Sequence, residues 1–216
     1  MIRRAVNNKD KQVKAAKILE AAKEVFFEKG YYGTRIETIA ERAGVGTGTI
    51  YLYFKSKIEL YKAIQNEGLD ILVSMVEETI SWPGMTALAK MSAIASTYFR
   101  FYDEYREYFD IIAVLCATPA ELKETETEIS HVIDGKTYQL LKLIEGVVKE
   151  GVQNGEIVPI DTWKATNVYW GIMDGLILMS ERHNMQNVVG VEIEELVKVA
   201  FEMTFYGIAR SDRISE

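Results

Sequence analysis

The chain has 216 residues, 48% of them hydrophobic, which is enough to bury a core in one large domain or two small ones. Its single cysteine, Cys116, excludes an internal disulfide and fits a reducing compartment. The N-terminus lacks the apolar stretch of a signal peptide, and the longest apolar run, Ile111–Ala117, is far shorter than the ~20 residues that cross a bilayer. We therefore expect a cytoplasmic protein with no membrane partner.

Charge is unevenly distributed along the chain. The total is −7, but residues 1–60 hold 12 Lys and Arg against 7 Asp and Glu, a net +5. Residues 61–216 hold 13 against 25, a net −12. A basic head on an acidic body indicates a localised nucleic-acid-binding face, with an ordinary solvated surface as the alternative.

Helix-forming residues dominate and strand-like alternation is scarce, which predicts an all-α fold. Residues 1–10 are polar and expected to be loose. Apolar residues at three- and four-residue steps predict a first helix over residues 11–29, ended by Gly30. The segment from Thr34 to Glu37 has the form of a capping box, which would open a second helix that ends at Gly44.

A tight reversal is predicted where two glycines flank Val45, since glycine tolerates the backbone conformations that a turn between short helices needs. A third helix is predicted over residues 47–54, anchored in the core by Ile50 and Phe54. Its other faces carry hydroxyl groups and Gly48, which suit phosphates and base edges better than packing.

A second capping box is predicted at Ser56–Glu59, where a fourth helix begins. Lys55 and Lys57 lie beside this helix N-terminus, whose N–H groups and dipole favour an anion. A DNA phosphate is the expected partner.

Residues 11–60 resemble the N-terminal domain of the TetR family of bacterial and archaeal repressors. The resemblance is carried by Phe26-Phe27, Gly30-Tyr31, Thr34 to Ala40, Ala43-Gly44-Val45 and the run Gly48-Thr49-Ile50-Tyr51-x-Tyr53-Phe54-x-x-Lys57-x-x-Leu60. It implies a helix-turn-helix that enters the major groove and is used as a dimer. Gly46 stands where many members have a serine or threonine cap, and Thr47 where many have a basic or polar residue. Ile36 stands where some members have a threonine that contacts a phosphate.

The resemblance assigns roles in the third helix and at the start of the fourth. Thr47, Gly48, Thr49 and Tyr53 would lie at the groove, and Tyr51 and Lys57 would lie at phosphates. The complete predicted DNA-binding set is Thr34, Arg35, Thr47, Gly48, Thr49, Tyr51, Tyr53, Lys55 and Lys57.

Beyond residue 60 the pattern stays helical, for about nine helices in total. The fourth helix is predicted to continue over residues 59–81, and further helices are predicted over residues 85–105, 106–116, 119–154, 161–184 and 191–210. The sequence predicts two domains: a helix-turn-helix domain at residues 1–60 and an effector-binding and dimerisation domain at residues 61–216.

Seven aromatic residues lie between Tyr98 and Phe109, too many to face one core. Some of them could line a ligand cavity, and an aromatic core or a dimer contact is the alternative. The polar side chains considered with them could equally be ordinary surface groups or be satisfied by backbone partners. The candidate ligand-binding set is Tyr98, Tyr102, Tyr105, Phe109, His131, Asn167, Trp170 and Asp174.

Gly171 and Gly175 are spaced by four within one predicted helix. Each costs about 1 kcal/mol against alanine, which indicates that another helix or a ligand comes close. The TetR resemblance implies a dimer built from the last two helices of each subunit. The predicted interface is Gly171, Gly175, Val197, Phe201, Thr204 and Ile208.

The leading functional hypothesis is a ligand-responsive repressor that binds a palindromic operator as a homodimer and is released by a hydrophobic or amphipathic small molecule. Gly48–Phe54 and Glu150–Ile157 look like members that regulate fatty-acid metabolism through acyl-CoA. The alternatives are an architectural DNA-binding protein without an effector and an enzyme. Two histidines without a nucleophile motif, a phosphate loop or a metal motif do not support an enzyme, so no catalytic residue, metal or cofactor is expected.

Overall fold

The computed structural model describes residues 2–117, 128–180, 190 and 193–208. Nine α-helices are found in these ranges, which confirms the predicted all-α fold. They are α1 (Ile2–Gly33), α2 (Ile36–Ala43), α3 (Thr47–Tyr51), α4 (Lys57–Ile80), α5 (Ala87–Glu104), α6 (Arg106–Ala117), α7 (Glu128–Gln153), α8 (Thr162–Ser180) and α9 (Ile193–Ile208). None of these helices is both long and apolar enough to cross a membrane.

Helix boundaries differ from the predicted ones in two places. The chain is helical from Ile2, where a loose tail was predicted, because no proline or glycine interrupts it before Gly30. Gly30 itself has φ 64° and ψ 179°, so it breaks α1 where the sequence predicts the helix end. α3 ends at Tyr51 and not at Phe54, because the N–H groups of the next two residues bond to carbonyls three positions back. The predicted helical residues 119–127, 181–184, 191–192 and 209–210 lie outside the described residues.

Two compact units make up the chain. The first is Met1–Asp70 with Tyr105–Gly135, so it contains α1 to α3, the first part of α4, and α6. Its core is apolar and draws on all of these helices, with side chains that include Ile18, Ala22, Val25, Phe26, Ile39, Ala43, Ile50, Leu60, Ile64 and Ile111. This core fixes the positions of α2 and α3, which are too short to be stable alone.

The second unit is Ile71–Glu104 with Lys136–Glu216. Its buried apolar side chains come from α4, α5, α7 and α8 and include Leu72, Val76, Met91, Ile94, Phe101, Leu140, Ile144, Val148, Tyr169, Met173 and Ile177. α7 ends against a close neighbour, since a Cβ added at Gly151 would lie 2.6 Å from Ile157 Cδ1 and 2.9 Å from Ala87 Cβ. Close packing of this kind is possible only without a side chain at position 151.

Candidate nucleic-acid interface and ligand site

The turn between α2 and α3 is closed by a glycine in the left-handed conformation. Gly44 has φ 66° and ψ 36°, which L side chains rarely adopt. Its N–H donates to Glu41 O at 3.1 Å, and the Val45 N–H donates to Ala40 O at 3.0 Å. These two bonds form a Schellman motif, so α2 ends sharply and the chain reverses. The predicted glycine turn is confirmed.

α3 is held to the first unit by one fully buried side chain. Ile50 has no exposed surface and packs in the core with side chains of α1 and α2. Phe54, the other predicted anchor, is only partly buried against that core. Gly46 precedes the helix without a side-chain cap, and its carbonyl accepts the Thr49 N–H at 2.9 Å. The remaining faces of α3 are therefore available to a partner.

Small and hydroxyl-bearing residues occupy the outward face of α3. Thr47 and Gly48 are exposed, and 53% of the Tyr51 surface is accessible. A Cβ added at Gly48 would meet no atom of the described residues within 4 Å, so the backbone itself is open to close approach. Thr49 and Tyr53 are half-buried, and Tyr53 also packs against the core. Exposed hydroxyls and an open backbone are suited to phosphates and base edges.

Two more exposed residues follow the end of α3. Leu52 has 77% of its surface accessible although it is apolar, and the sequence-based set did not include it. A helical step of two residues turns about 200°, so the burial of Ile50 already indicated that Leu52 points away from the core. Lys55, which was in the set, is exposed.

Thr34 does not have the role that the sequence predicts. Its side chain is 2% exposed, and its hydroxyl donates to Gly30 O at 2.7 Å and to Val25 O at 3.3 Å. The N-cap of α2 is Arg35, without a side-chain cap bond, so the predicted first capping box is wrong. The hydroxyl binds these two carbonyls of α1 and not a backbone N–H of α2. A buried Thr34 hydroxyl is also unavailable to DNA, which removes it from the predicted contact set.

Arg35 remains accessible on the same surface. Its side chain is exposed, and Nε lies 3.5 Å from a carboxylate oxygen of Glu37. An exposed ion pair of this kind contributes little to stability, so it leaves Arg35 available to a phosphate.

Lys57 is engaged by the protein itself. Its ammonium donates to Tyr31 O at 2.7 Å and to Thr34 O at 2.9 Å, and it lies 4.3 Å from the centroid of the Tyr31 ring. Partial burial lowers the pKa of Lys57. The sequence predicts this lysine at a phosphate. In the structure, two of its three N–H groups donate to carbonyls at the end of α1 and in the α1–α2 connection, and these bonds hold the start of α4 to that region.

The second predicted capping box is present, but its glutamate binds the backbone one residue earlier than predicted. The Glu59 N–H donates to Ser56 Oγ at 3.3 Å, as a cap requires. The Glu59 carboxylate accepts the N–H of Lys55, one residue before the position that a capping box predicts. Both bonds satisfy backbone donors at the N-terminus of α4.

In the second unit, three predicted ligand residues lie together. Tyr98 is buried, and its hydroxyl donates to a carboxylate oxygen of Asp174. The rings of Tyr98 and Trp170 have centroids 4.6 Å apart. Burial raises the pKa of the Asp174 carboxyl, and hydrogen bonds from Tyr98 and Trp170 oppose the rise. A half-buried carboxyl against aromatic rings is able to recognise one polar group on a largely apolar molecule.

The other predicted ligand residues are placed differently. Tyr102 is half-buried in the second unit, whereas Tyr105 and the buried Phe109 belong to the first. His131 is exposed, as expected of an ordinary surface histidine. Asn167 is also exposed, and its amide donates to Trp163 O at 2.8 Å within α8, which is the backbone alternative that the sequence left open.

α8 presents an exposed apolar face with two glycines in it. Gly171 and Gly175 are exposed, and a Cβ added at either would meet no atom of the described residues within 4 Å. Val168 and Leu178 are exposed on the same face. The sequence predicts that another helix or a ligand comes close to these glycines, and no described residue of the protomer does so.

The predicted interface residues of α9 are less exposed. Val197, Phe201 and Thr204 are half-buried, and the Tyr169 and Phe201 rings lie with centroids 6.3 Å apart between α8 and α9. The side chain of Ile208 lies outside the described residues.

The short helix α3 follows a glycine turn, packs on the core of the first unit through Ile50 and presents its other faces outward. This arrangement defines a helix-turn-helix DNA-binding protein. Residues 18–64 match the family model described as bacterial regulatory proteins, tetR family. The chain is 31% identical over 167 residues to the fatty acid metabolism regulator protein of Bacillus subtilis strain 168, covering 77% of this chain and 82% of that protein. It is 30% identical over 168 residues to the HTH-type transcriptional regulator RutR of Escherichia coli K12, covering 77% and 73%.

A solved structure supports the same family. The transcriptional regulator FadR from Bacillus subtilis, crystallised in complex with stearoyl-CoA, matches with a TM-score of 0.67 and 27% identity over 89% of this chain and 98% of that chain. The chain belongs to the TetR family of DNA-binding transcriptional regulators. One relative is named a fatty acid metabolism regulator and the other a transcriptional regulator, and as a member of this family the chain is a transcriptional regulator and not an enzyme.

Proposed function

We propose that the protein is a ligand-responsive repressor that binds a palindromic operator as a homodimer and is released by a hydrophobic or amphipathic small molecule, with fatty acyl-CoA as the favoured class. The observation that carries the DNA-binding part is the outward face of α3. Thr47, Gly48 and Tyr51 are exposed there and Ile50 is fully buried, and Lys55, which follows the helix, is exposed as well. In the proposed domain arrangement, residues 1–60 bind DNA and residues 61–216 bind the effector and form the dimer.

Within the operator, α3 enters the major groove. The hydroxyls of Thr47, Thr49 and Tyr53 reach base edges, and Gly48 lets the backbone approach the DNA. Tyr51, Lys55 and Arg35 bind phosphates, aided by the net +5 of the first 60 residues. A regulator that binds chromosomal DNA works in the cytoplasm, the compartment that the sequence predicts.

The homodimer is proposed to form through α8 and α9. The exposed apolar face of α8 supports it, because Val168, Gly171, Gly175 and Leu178 leave a smooth surface that a second helix is able to approach closely. A two-fold dimer with recognition helices about 34 Å apart reads two half-sites one helical turn apart.

The effector is proposed to bind near Tyr98, Trp170 and Asp174. Aromatic rings beside a single carboxyl suit a molecule with a long apolar part and a few polar groups. The comparisons support the acyl-CoA class, because the Bacillus subtilis relative is named a fatty acid metabolism regulator and FadR from Bacillus subtilis was crystallised with stearoyl-CoA. Binding to a conformation with a different spacing of recognition helices lowers operator affinity by linkage, by about 5- to 150-fold for a coupling of ~1–3 kcal/mol.

Selection from a pool of random DNA duplexes tests the proposal. We expect enrichment of one palindrome, a footprint covering two half-sites, and a weaker affinity when stearoyl-CoA is added. Tyr51→Phe should weaken operator binding about 5-fold, because a hydrogen bond to phosphate is lost. Tyr138→Phe, which removes the same hydroxyl from an exposed site on α7, is the matched control. Enrichment of no sequence would refute operator binding, and an operator complex indifferent to acyl-CoA would refute the effector class.

A further inference from the structure

The first turns of α1 extend beyond the core of the first unit. From Asp10 to Lys17 every residue is exposed except the half-buried Ala15, and Ile18, 1% exposed, is where the helix enters the core. α1 begins at Ile2, so residues 2–17, here called the α1 extension, form about 24 Å of helix at 1.5 Å per residue. A helix with so few buried side chains is marginally stable in water by itself. A partner that covers the extension would stabilise it.

The α1 extension carries the whole net charge of the helix-turn-helix region. Residues 1–17 hold 6 Lys and Arg against 1 Asp, a net +5, whereas residues 18–60 hold 6 Lys and Arg against 6 Glu, a net charge of zero. Affinity for DNA that does not depend on sequence comes from cations at phosphates. The extension therefore holds the charge that such affinity requires.

Four of the six cations of residues 18–60 are engaged by the protein itself. They are Lys23 with Glu20, Arg35 with Glu37, Arg42 with Glu24 and Glu28, and Lys57 with the carbonyls of Tyr31 and Thr34. The extension differs, because Lys11, Lys14 and Lys17 are exposed and make no ion pair or hydrogen bond with a residue that the structure describes. These three ammonium groups are available to a partner of negative charge.

The position of the lysines relates them to α3. Lys11 and Lys14 lie seven and four residues before Ile18, so all three share one face of α1. Lys17 lies beside the turn that precedes α3, since its Nζ is 3.7 Å from the position that a Cβ at Gly44 would occupy. The extension therefore starts next to the N-terminal end of α3 and projects away from the core.

We infer that the α1 extension binds the phosphates of the DNA that flanks the half-site read by α3. A lysine ammonium binds phosphate as a point charge, and a phosphate contact carries no sequence information. The extension thus adds affinity, while the recognition helix reads the sequence. This inference rests on the proposed operator binding and adds to it a second contact surface outside the helix-turn-helix.

Operator titration at several salt concentrations tests the inference with the full chain. The probe is the selected palindrome, in a duplex that ends at the palindrome and in one with about 10 further base pairs on each side, more than the ~7 that the length of the extension spans. On the flanked duplex, Lys14→Gln should make the slope of log affinity against log salt shallower by about one unit for each bound protomer, and Lys11→Gln combined with it by about two. On the short duplex, both variants should differ little from the unsubstituted chain.

Two further variants control for charge and for folding. Lys164→Gln makes the same replacement at an exposed site of α8 and should leave the slope unchanged. Lys14→Arg keeps the charge and should keep the slope. Because Lys11 and Lys14 have no described partner, the glutamine variants should unfold at the temperature of the unsubstituted chain.

Three results would overturn the inference while operator binding stands. An unchanged slope for the double variant would mean that no phosphate lies at these lysines. Equal changes on the short and the flanked duplex would place the contacts inside the half-site. A lower unfolding temperature, with the same loss in Lys14→Arg, would mean that the lysines are structural. Failure of the proposed function is distinguishable, because the unsubstituted chain would then select no palindrome at all.

Discussion

The Lys57 ammonium donates to the Tyr31 carbonyl oxygen at 2.7 Å and lies 4.3 Å from the centroid of the same residue's ring. The two residues are 26 positions apart, at the start of α4 and in the last turn of α1. A second bond from the ammonium reaches Thr34 O. One side chain thereby joins α4 to the connection from which α2 begins, and α2 sets the position of α3.

Lys57→Met should therefore destabilise the fold. The variant keeps the length of the apolar stem but loses two charge-assisted bonds to carbonyl oxygens, which we expect to lower the free energy of unfolding by about 1–2 kcal/mol. Urea titration measures the loss.

Lys55→Met is the matched control, because Lys55 is exposed and two residues away. It should change stability by less than about 0.5 kcal/mol but make the salt dependence of operator binding shallower by about one unit. If Lys57→Met were as stable as the unsubstituted chain and had the shallower salt dependence instead, Lys57 would be a phosphate ligand, as the sequence alone predicts.

Two glycines of α7 should respond in opposite ways to the same substitution. Gly151→Ala adds a Cβ within 3 Å of Ile157 and Ala87, so we expect a loss of about 1–3 kcal/mol from overpacking. Gly146→Ala meets no atom of the described residues within 4 Å and should gain up to ~1 kcal/mol from helix propensity. Thermal unfolding of both variants compares them directly, and a gain at both positions would contradict the close packing at Gly151.

Stability should decline in acid because of Glu145. Hydrogen bonds from Lys142 and Lys149, with a further one from Thr162, lower the pKa of its carboxyl from 4.5 to about 2. A carboxyl whose pKa is depressed by folding contributes stability that is complete above pH 4.5 and is lost as the pH falls towards 2. Glu145→Gln should be less stable at neutral pH and should lose less on acidification.

Urea titrations between pH 7 and pH 2 measure this difference. Glu41→Gln, at an exposed position on α2, is the control and should retain the acid dependence of the unsubstituted chain. An acid dependence of Glu145→Gln identical to that control would show that the Lys142 and Lys149 bonds do not persist in solution.

Local pattern was sufficient to predict the helix-turn-helix. Three of its features depend on neighbours within a few residues: the burial of Ile50, the left-handed conformation of Gly44 and the cap at Ser56. Hydrophobic periodicity and turn-forming residues indicate such local features directly. The same reasoning extended to Leu52 would have found its exposure.

Contacts between residues far apart in the sequence could not be predicted from local patterns. The hydroxyl of Thr34 binds carbonyls of α1 and caps no helix, and Lys57 turns towards Tyr31 because α1 and α4 pack together. Tyr98 and Asp174 are 76 positions apart, and only the fold brings them into contact. Composition identified these residues as candidates, but their partners depend on tertiary packing that a single sequence does not specify.

The exposed face of α8 gives the sharpest test of the proposed homodimer. In Gly171→Leu, the new Cβ would lie more than 4 Å from every atom of the described residues outside the local helix backbone. The fold should therefore be retained. A partner helix packed against this glycine would be pushed away, so we expect the dimer dissociation constant to rise about 5- to 150-fold, for a clash of ~1–3 kcal/mol. Sedimentation velocity measures it, with Val132→Leu, at an exposed position of α7, as the control. Since two half-sites are read together, operator affinity should fall with dimerisation, and a Gly171→Leu protein that remains dimeric would place the interface elsewhere.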